Sequence, residues 1–587
     1  MSGLADLVKP VAPSTLVNLK EYASEVEAVQ QELEGSDAAA RVWAKDGTWW
    51  APWDRAAARD IEDRLGWLGL PIAMRSEVTR LKGLAAEAKQ AGLTRVVLLG
   101  MGGSSLAPEV MAAVLPRASD GAELVILDAT DPTQIRRVEA GAPLANTLFI
   151  LASKSGTTIE TDSLYAYFRT RLQQAVGPDA WRSHWVAITD PYTALAELAV
   201  KERFRALFIN PPDIGGRYSA LSLFGLVPAA LCGIDIDALL VAAQDMYWAC
   251  RGTAPIATNP GMALGAIMGA CAKARPLPVD KLTLFTSPTL APFGPWAEQL
   301  IAESTGKDGV GILPVEGECL ACLPKLSRDR LLVYLRLTGD ANEATDALAQ
   351  RLSAAGHPLV VLTLAEPVAL GAEMYRWEYA TAVAGQILGI NPFDQPNVEA
   401  AKKSARAAIR AYEESHEIPQ LAVALAEEGL EISGPVTGAQ SLAEALAQVF
   451  KPAHEGQYVA VMAYIDHSPE HIAGLEAIRK TLGRALGVPV TVGFGPRFLH
   501  STGQLHKGGA NNGLFLQIVQ DETDDLAIPG RGYTFGVLKA CQALGDWQAL
   551  QDAGRTVVRV NVGSDVAAGL ARLNAALAAA LREDVQP

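Results

Sequence analysis

The sequence predicts an α/β protein: two doubly wound parallel-sheet domains followed by a third, C-terminal α/β unit. Three observations carry this. At 587 residues the chain is too long for one hydrophobic core and must divide. From residue 94 to about 235, the apolar runs TRVVLLG, AELVILDA, NTLFILAS, HWVAITD and RALFINP alternate with helical or loop stretches, as in a parallel sheet covered on both faces. The same alternation then returns twice.

Residues 1–93 combine helical periodicity with Trp43, Trp49, Trp50, Trp53 and Trp67, and read as a helical lead-in. Residues 94–279 form the first α/β domain with a helical extension. The second spans 280–410, with LTLFTSP, LLVYLRL and PLVVLTL as strands and RWEYATAVAGQILG as a closing helix. Residues 411–454, rich in Ala, Glu and Gln with one Gly-Pro break, read as a helical connector. In 455–587 the runs QYVAVMAYI, PVTVGFG, GLFLQIV and TVVRVNV supply the third unit. No repeat of fixed period points to a solenoid.

A 20% share of charged residues against 49% hydrophobic fits a folded globular enzyme. The net charge of -15 argues against nucleic acid and anionic membranes as partners, so an anionic ligand has to be caught locally. Six scattered cysteines favour a reducing compartment over a disulfide scaffold. Cys319 and Cys322 form a lone C-x-x-C, too little for a zinc site without further ligands, and no metal or cofactor is expected. The start, MSGLADLVKPVAPS, lacks a basic-then-apolar leader, and no apolar run is long enough to span a bilayer, so a cytoplasmic location is expected.

Strand VVLLG runs into Gly100-Met101-Gly102-Gly103-Ser104-Ser105 ahead of an apolar helix. Such a loop can turn backbone N–H groups toward an anion, form a plain tight turn, or serve as a dinucleotide fingerprint with Asp128 on the ribose. Ser105 stands where that fingerprint needs its third glycine. LFILASKSGTTIET is more informative. It places Ser153, Ser155, Thr157 and Thr158 at a strand-to-helix junction, where hydroxyls and helix N-terminal amides together hold a phosphate dianion. Helix capping alone needs one such residue, not four.

Three further stretches carry reactive side chains where the secondary structure changes: PPDIGGRYS with Arg217, AEQLIAESTGKDG with Glu298, Gln299 and Glu303, and NPFDQPNVEAAKK with Gln395 and Lys402. Each has a plain account as a loop ion pair, a helix-end carboxylate or a solvated face. Together, a carboxylate, a guanidinium and a lysine are what an enediol isomerisation of a phosphorylated sugar requires.

Taken in order, GMGGSSL, ASKSGTTIET, DIGGRYS, ESTGKDG and NPFDQPNVEAAKK resemble the successive signatures of the phosphoglucose isomerase family over roughly residues 94–405. RVWAKDGTWW, RLGWLGLP and the tail beyond Lys402 resemble most the isomerase half of bacterial transaldolase/phosphoglucose isomerase fusions. The roughly 90 residues before the first strand cannot hold a transaldolase barrel, so isomerase activity alone is expected. The resemblance implies sugar-isomerase (SIS-type, flavodoxin-like) phosphosugar-binding domains and the reversible interconversion of glucose 6-phosphate and fructose 6-phosphate through a cis-enediol, a step of glycolysis and gluconeogenesis. It implies that Gly102, Gly103 and Ser104 face the sugar and that Ser153, Ser155, Thr157 and Thr158 hold its phosphate. Glu303 would carry the proton between C1 and C2, with Gln299 one helical turn earlier as a substrate contact. Arg217 would stabilise the enediolate, and Lys402 with Gln395 would bind the sugar and assist ring opening. The expected partner is a small phosphosugar, and a homodimer is compatible with relatives that share an active site between subunits.

The sequence departs from the family pattern twice. Asn397 stands where a small residue is usual. The ring-opening histidine of an LHS-x-GQ segment is absent between Glu303 and Lys402, where only His357 occurs, in AAGHPLVVL. An LHSTGQ segment does occur later, as Leu499 to Gln504, so His500 is expected to reach the site from the third unit, as though the second half of the fold had been duplicated or reordered. His506 is the reserve candidate. A sensor that binds phosphosugars without converting them would need the hydroxyl cradle but not Glu303, Arg217 and Lys402. An isomerase of mannose or another aldose 6-phosphate would need the same residues.

Overall fold

The computed structural model describes residues 9–12, 15–252 and 255–582, with only the backbone of 9–12. The stretch inspected for a leader therefore lies largely outside the described residues. Two short strands come first, β1 (Lys9–Ala12) and β2 (Thr15–Asn18). The first full sheet follows, with β3 (Arg95–Gly100), β4 (Glu123–Leu127), β5 (Thr147–Ala152), β6 (Trp185–Thr189) and β7 (Ala206–Ile209). Helix α1 (Pro132–Ala140) follows β4, and α2 (Ile159–Val176) follows β5. All strands are parallel, in the order β4-β3-β5-β6-β7. Central β3, β5 and β6 are buried throughout, whereas the edges β4 and β7 are partly open, as burial on both faces requires of uninterrupted apolar runs. Numbered within this sheet the order is 2-1-3-4-5, the flavodoxin-like winding, and it reverses between β3 and β5.

Helix α3 (Pro260–Lys273) leads to the second sheet, with β8 (Lys281–Thr286), helix α4 (Phe293–Thr305), β9 (Leu313–Val315), β10 (Arg330–Leu337), β11 (Leu359–Leu364) and helix α5 (Leu370–Leu388). A Cβ on Gly261, Gly265 or Gly269 of α3 would come within 2.7 Å of Tyr379, Val383 or Ile387 of α5, so this glycine stripe lets the two helices touch. Helix α6 (Pro396–Ser415) then crosses toward the third sheet. That sheet contains β12 (Leu425–Glu427), β13 (Leu430–Ser433), β14 (Tyr458–Tyr464), helix α7 (Pro469–Leu486), β15 (Val490–Phe494), β16 (Gly513–Val519), helix α8 (Phe535–Asp552) and β17 (Thr556–Asn561).

The second and third sheets share one topology, β1-β2-β11-β10-β8-β9 and β12-β13-β17-β16-β14-β15. In each, four parallel strands run 4-3-1-2 and an antiparallel hairpin covers the fourth.

Two segments expected to be helical are so in part, with Ala23–Gly35, Arg55–Glu62 and Val78–Gln90 in the lead-in and Leu442–Phe450 in the connector, but each also contributes strands. The lead-in donates β2 to the edge of β11, with Thr15 and Val17 on the buried side. The connector forms the β12–β13 hairpin, whose turn residues Glu428 and Gly429 both have positive φ, 51° and 75°. That backbone is the primed turn that matches strand twist, reached here by Glu-Gly in place of the more telling Asn-Gly. Cys319 and Cys322 are joined as a disulfide across Cα atoms 5.3 Å apart, while Cys232, Cys250, Cys271 and Cys541 are buried thiols.

One continuous apolar cluster runs from Trp49 and Trp67 through Leu98 and Ile150 to Val333 and Val360, so the lead-in and the first two sheets share a core. The third unit has its own, with Val461, Leu516 and Val560. It docks on the first through an apolar cluster that joins Val97, Leu99 and Phe168 to Phe535, Leu538 and Cys541, rimmed by ion pairs: Arg136 on Asp524, Arg137 on Asp466, Arg497 on Asp128 and Glu109, and Arg531 on Asp162. Lys539 of α8 is buried between Asp131 at 2.6 Å and Glu522 at 2.8 Å. Lys539→Met leaves two carboxylates without their cation and is expected to cost about 3–5 kcal/mol, read as a lowered denaturation midpoint.

Candidate active site

Where the winding of the first sheet reverses, the loops after β3 and β5 part and open a cavity of about 640 Å³. Its lining includes Gly102, Gly103, Ser104, Ser153, Ser155, Thr157, Thr158, Arg217, Gln299, Glu303, Gln395, Lys402 and His500. The residues expected to bind the phosphosugar or act on it thus meet in one place, whereas Glu298, Asp128, His357 and His506 do not line it.

The β3 loop makes close backbone approaches. A Cβ on Gly103 would lie 2.0 Å from the Gly216 carbonyl, and Gly102 has φ +53° with Gln299 and the His500 backbone against it. Only glycine admits this contact between the β3 loop and the turn carrying Arg217. After β5, Ser153 Oγ and Thr158 Oγ1 are 2.9 Å apart, Thr157 Oγ1 donates to Ser155 Oγ at 3.2 Å, and Ser153 Oγ accepts from the Gly156 N–H at 3.1 Å. This ring of hydroxyls sits on the N-terminus of the 18-residue α2, where the helix dipole and free N–H groups attract a dianion.

Opposite the cradle, Arg217 Nη1 lies 3.2 Å from Glu303 Oε1, with the two side chains 3% and 12% exposed. Arg217 Nε donates to Ser304 Oγ at 2.7 Å, Nη1 to Gln395 Oε1 at 3.1 Å, and Nη2 to the carbonyls of Pro392 and Asp394. Lys307 Nζ bonds Asn391 O, Asp394 O and Asp394 Oδ1, and burial together with the Arg217 charge draws its pKa down to about 8. Two cations therefore gather the carbonyls of the 391–394 loop and fix Gln395. On α4, Gln299 Nε2 donates to Glu303 Oε2 at 3.1 Å and to the His500 carbonyl at 2.7 Å.

His500 enters from the third unit, on the short turn Arg497–His500 after β15. Its Nε2 is 3.0 Å from Glu160 Oε1. Burial pushes the Glu160 carboxyl up, but the charge and hydrogen bond of His500 outweigh this and hold it below the usual range. An ionised carboxylate only accepts, so Nε2 carries a proton toward Glu160, and in the neutral imidazole it is Nδ1 that bears the lone pair. The other histidines are elsewhere. His506 packs on Phe515 with ring centroids 5.1 Å apart, and burial keeps it neutral. His357 lies just before β11. Asp128, the rival ribose ligand, accepts from Ser105 Oγ at 3.0 Å and pairs with Arg497, and burial lifts its pKa to about 6. Lys402 lines the cavity while bonding Glu399 at 2.9 Å.

Sequence reasoning missed Glu160 and Gln542. Glu160 is the last residue but one of the quoted ASKSGTTIET stretch, and a carboxylate in the first turn of a helix was the available signal. Asn397, the unusual residue of its motif, bonds the displaced segment: its N–H donates to Gln504 Oε1 at 2.9 Å and its Oδ1 accepts from Gln504 Nε2 at 2.7 Å. No group of His, Cys, Asp and Glu suited to a metal ion occurs among the described residues.

Comparison with known proteins agrees with the geometry. The family model for phosphoglucose isomerase matches residues 75–311. A glucose-6-phosphate isomerase of Thermosynechococcus vestitus is 33% identical over 362 residues, covering 55% of this chain and 68% of that protein. One of Symbiobacterium thermophilum is 30% identical over 391 residues, covering 59% and 86%. Among solved structures, a hypothetical protein from Thermus thermophilus superposes with a TM-score of 0.57 at 25% identity, covering 67% of this chain and 99% of that one. A glucose-6-phosphate isomerase from Chlamydia trachomatis shares the fold, with a TM-score of 0.56 at 19% identity over 70% of this chain and 91% of that one. Sequence identity at this level over more than two thirds of each of these two bacterial relatives, on a site assembled from all five motifs, places the chain in the phosphoglucose isomerase family.

Proposed function

We propose that this aldose-ketose isomerase interconverts glucose 6-phosphate and fructose 6-phosphate with Glu303 as the proton carrier. The observation that carries the assignment is the buried Arg217–Glu303 pair facing the hydroxyl cradle across one cavity. Phosphate binding at Ser153, Ser155, Thr157 and Thr158 fixes the far end of the sugar. Gly102, Gly103, Ser104, Gln299 and Gln395 line the space its hydroxyls would occupy.

The cyclic sugar must open first. Nδ1 of His500 takes the anomeric hydroxyl proton and passes it to the ring oxygen as the ring C–O bond breaks, with Lys402 assisting. Glu303 then removes the C2 proton of the open aldose, and the electron pair forms the C1–C2 double bond of the enediolate. Arg217 bears the negative charge that develops on oxygen, in surroundings that already satisfy its other N–H groups, so little reorganisation is needed as the charge forms. Transfer of the O2 hydroxyl proton to O1 and return of the carbon-bound proton from Glu303 to C1 give the ketose. The phosphosugar is retained inside the cell by its charge, which supports a cytoplasmic enzyme, and light scattering distinguishes a monomer from the homodimer that the family resemblance allows.

In a coupled assay on fructose 6-phosphate, with mannose 6-phosphate as control, Glu303→Gln is expected to lower kcat by about 10²–10⁴-fold with KM nearly unchanged. A variant with full turnover would remove Glu303 from the mechanism. Ser155→Ala, which takes one hydroxyl from the dianion, is expected to raise KM by about tenfold or more while kcat changes little.

A further inference from the structure

The imidazole of His500 is held by a single oxygen, Glu160 Oε1. That oxygen accepts a second hydrogen bond, from Gln542 Nε2 at 2.8 Å, and Gln542 Oε1 accepts from Thr130 Oγ1 at 2.9 Å. All three supporting side chains are buried. The orientation of the amide follows from chemistry, because a carboxylate can only accept and so must face the NH₂ end. Gln542 lies on α8 of the third unit and borders the cavity, yet both of its polar ends are engaged by the first unit.

We propose that Gln542 is a positioning residue for ring opening: its amide fixes Glu160 Oε1 as the acceptor of His500 Nε2–H, so that the imidazole offers Nδ1 to the sugar. This rests on the reading in which His500 opens the ring. A carboxylate torsion is broad and unrestrained when only one donor meets it, and a second donor from another element fixes it. The charged and titratable groups facing Glu160 are His500 from the turn after β15, Lys402 from α6 and Tyr464 at the end of β14. Those facing His500 are Glu160, Asp128 beyond β4 and Glu399 on α6. Gln542 is a neutral donor among them, so it can hold Glu160 without neutralising it.

The test compares Gln542→Leu, Gln542→Glu and His500→Asn with the parent protein by steady-state kinetics on fructose 6-phosphate from about pH 5.5 to about pH 9, a range that brackets an ordinary imidazole. Gln542→Leu is expected to lower kcat by about tenfold across the range, with KM within about twofold, since geometry rather than binding is lost. Gln542→Glu carries the more specific expectation. At the acid end its new carboxyl is protonated and donates to Glu160 as the amide did, so kcat is close to the parent's. As pH rises it ionises beside another carboxylate and kcat falls by about tenfold, a basic limb the parent lacks.

A structural role alone gives no such limb. The proposal is overturned if Gln542→Leu keeps kcat within about twofold of the parent's, or if the Gln542→Glu profile runs parallel to it. If Gln542→Leu does not fold, the Gln542→Glu profile decides alone. His500→Asn separates the two levels. Full turnover there overturns the ring-opening reading and this inference with it. An impaired His500→Asn alongside Gln542 variants that track the parent overturns the role of Gln542 only.

Discussion

A chain of net charge -15 has to bind a dianion, and the rest of the structure depends on how it does so. Its overall field is repulsive, so capture rests on oriented dipoles of short range. Parallel strands supply these dipoles only at their C-terminal ends, where loops feed helix N-termini, and only a reversal of winding leaves room between neighbouring loops. In the first sheet that point lies between β3 and β5. The placement of the candidate catalytic groups follows from this choice. Glu303, Lys402 and His500 are carried to the mouth of that crevice by elements of the other two units, while the glycines after β3 let the first unit's own turn bring Arg217 close.

Bringing charged groups together in a dry crevice has its own cost, and the site meets it by satisfying them before any substrate arrives. The Arg217 guanidinium is occupied by Ser304, Gln395, two loop carbonyls and Glu303. Without those partners a buried guanidinium would be strongly destabilising; with them, it is a rigid positive group whose field is little screened. The same neighbours explain why Lys307, nominally part of the reactive motif, stands behind the site. Its ammonium is spent on Asp394 and two carbonyls, and its role is to hold the loop that presents Gln395.

Most of this was legible in the sequence because buried parallel strands leave unbroken apolar runs, and because hydroxyl-rich and charged motifs at strand ends are local in the chain. What escaped was non-local or chemically quiet. Strand β2 is four residues long and exists by pairing with β11, some 340 residues away. The β12–β13 hairpin turns on Glu-Gly, which does not announce a turn as Asn-Gly does. Glu160 reads as a helix-start carboxylate until His500, 340 residues later, lands on it. Gln542, in the unremarkable helical ACQALGD, acquires its meaning from Glu160, 382 residues before it.

The two departures from the family pattern turn out to be one. Asn397 exceeds the usual residue in size, and its extra amide is what the Gln504 side chain of the displaced LHSTGQ segment binds. The second and third sheets share one topology. The loop after the second parallel strand occupies equivalent places in both, following β9 in one and β15 in the other. In the second unit that loop holds the Cys319–Cys322 disulfide, and its carbonyls at Glu316, Gly317 and Cys322 accept from Arg479 and Arg484 of α7. In the third unit it carries His500. The loop after β9 therefore helps anchor the third unit, and the loop after β15 brings His500 to the cavity.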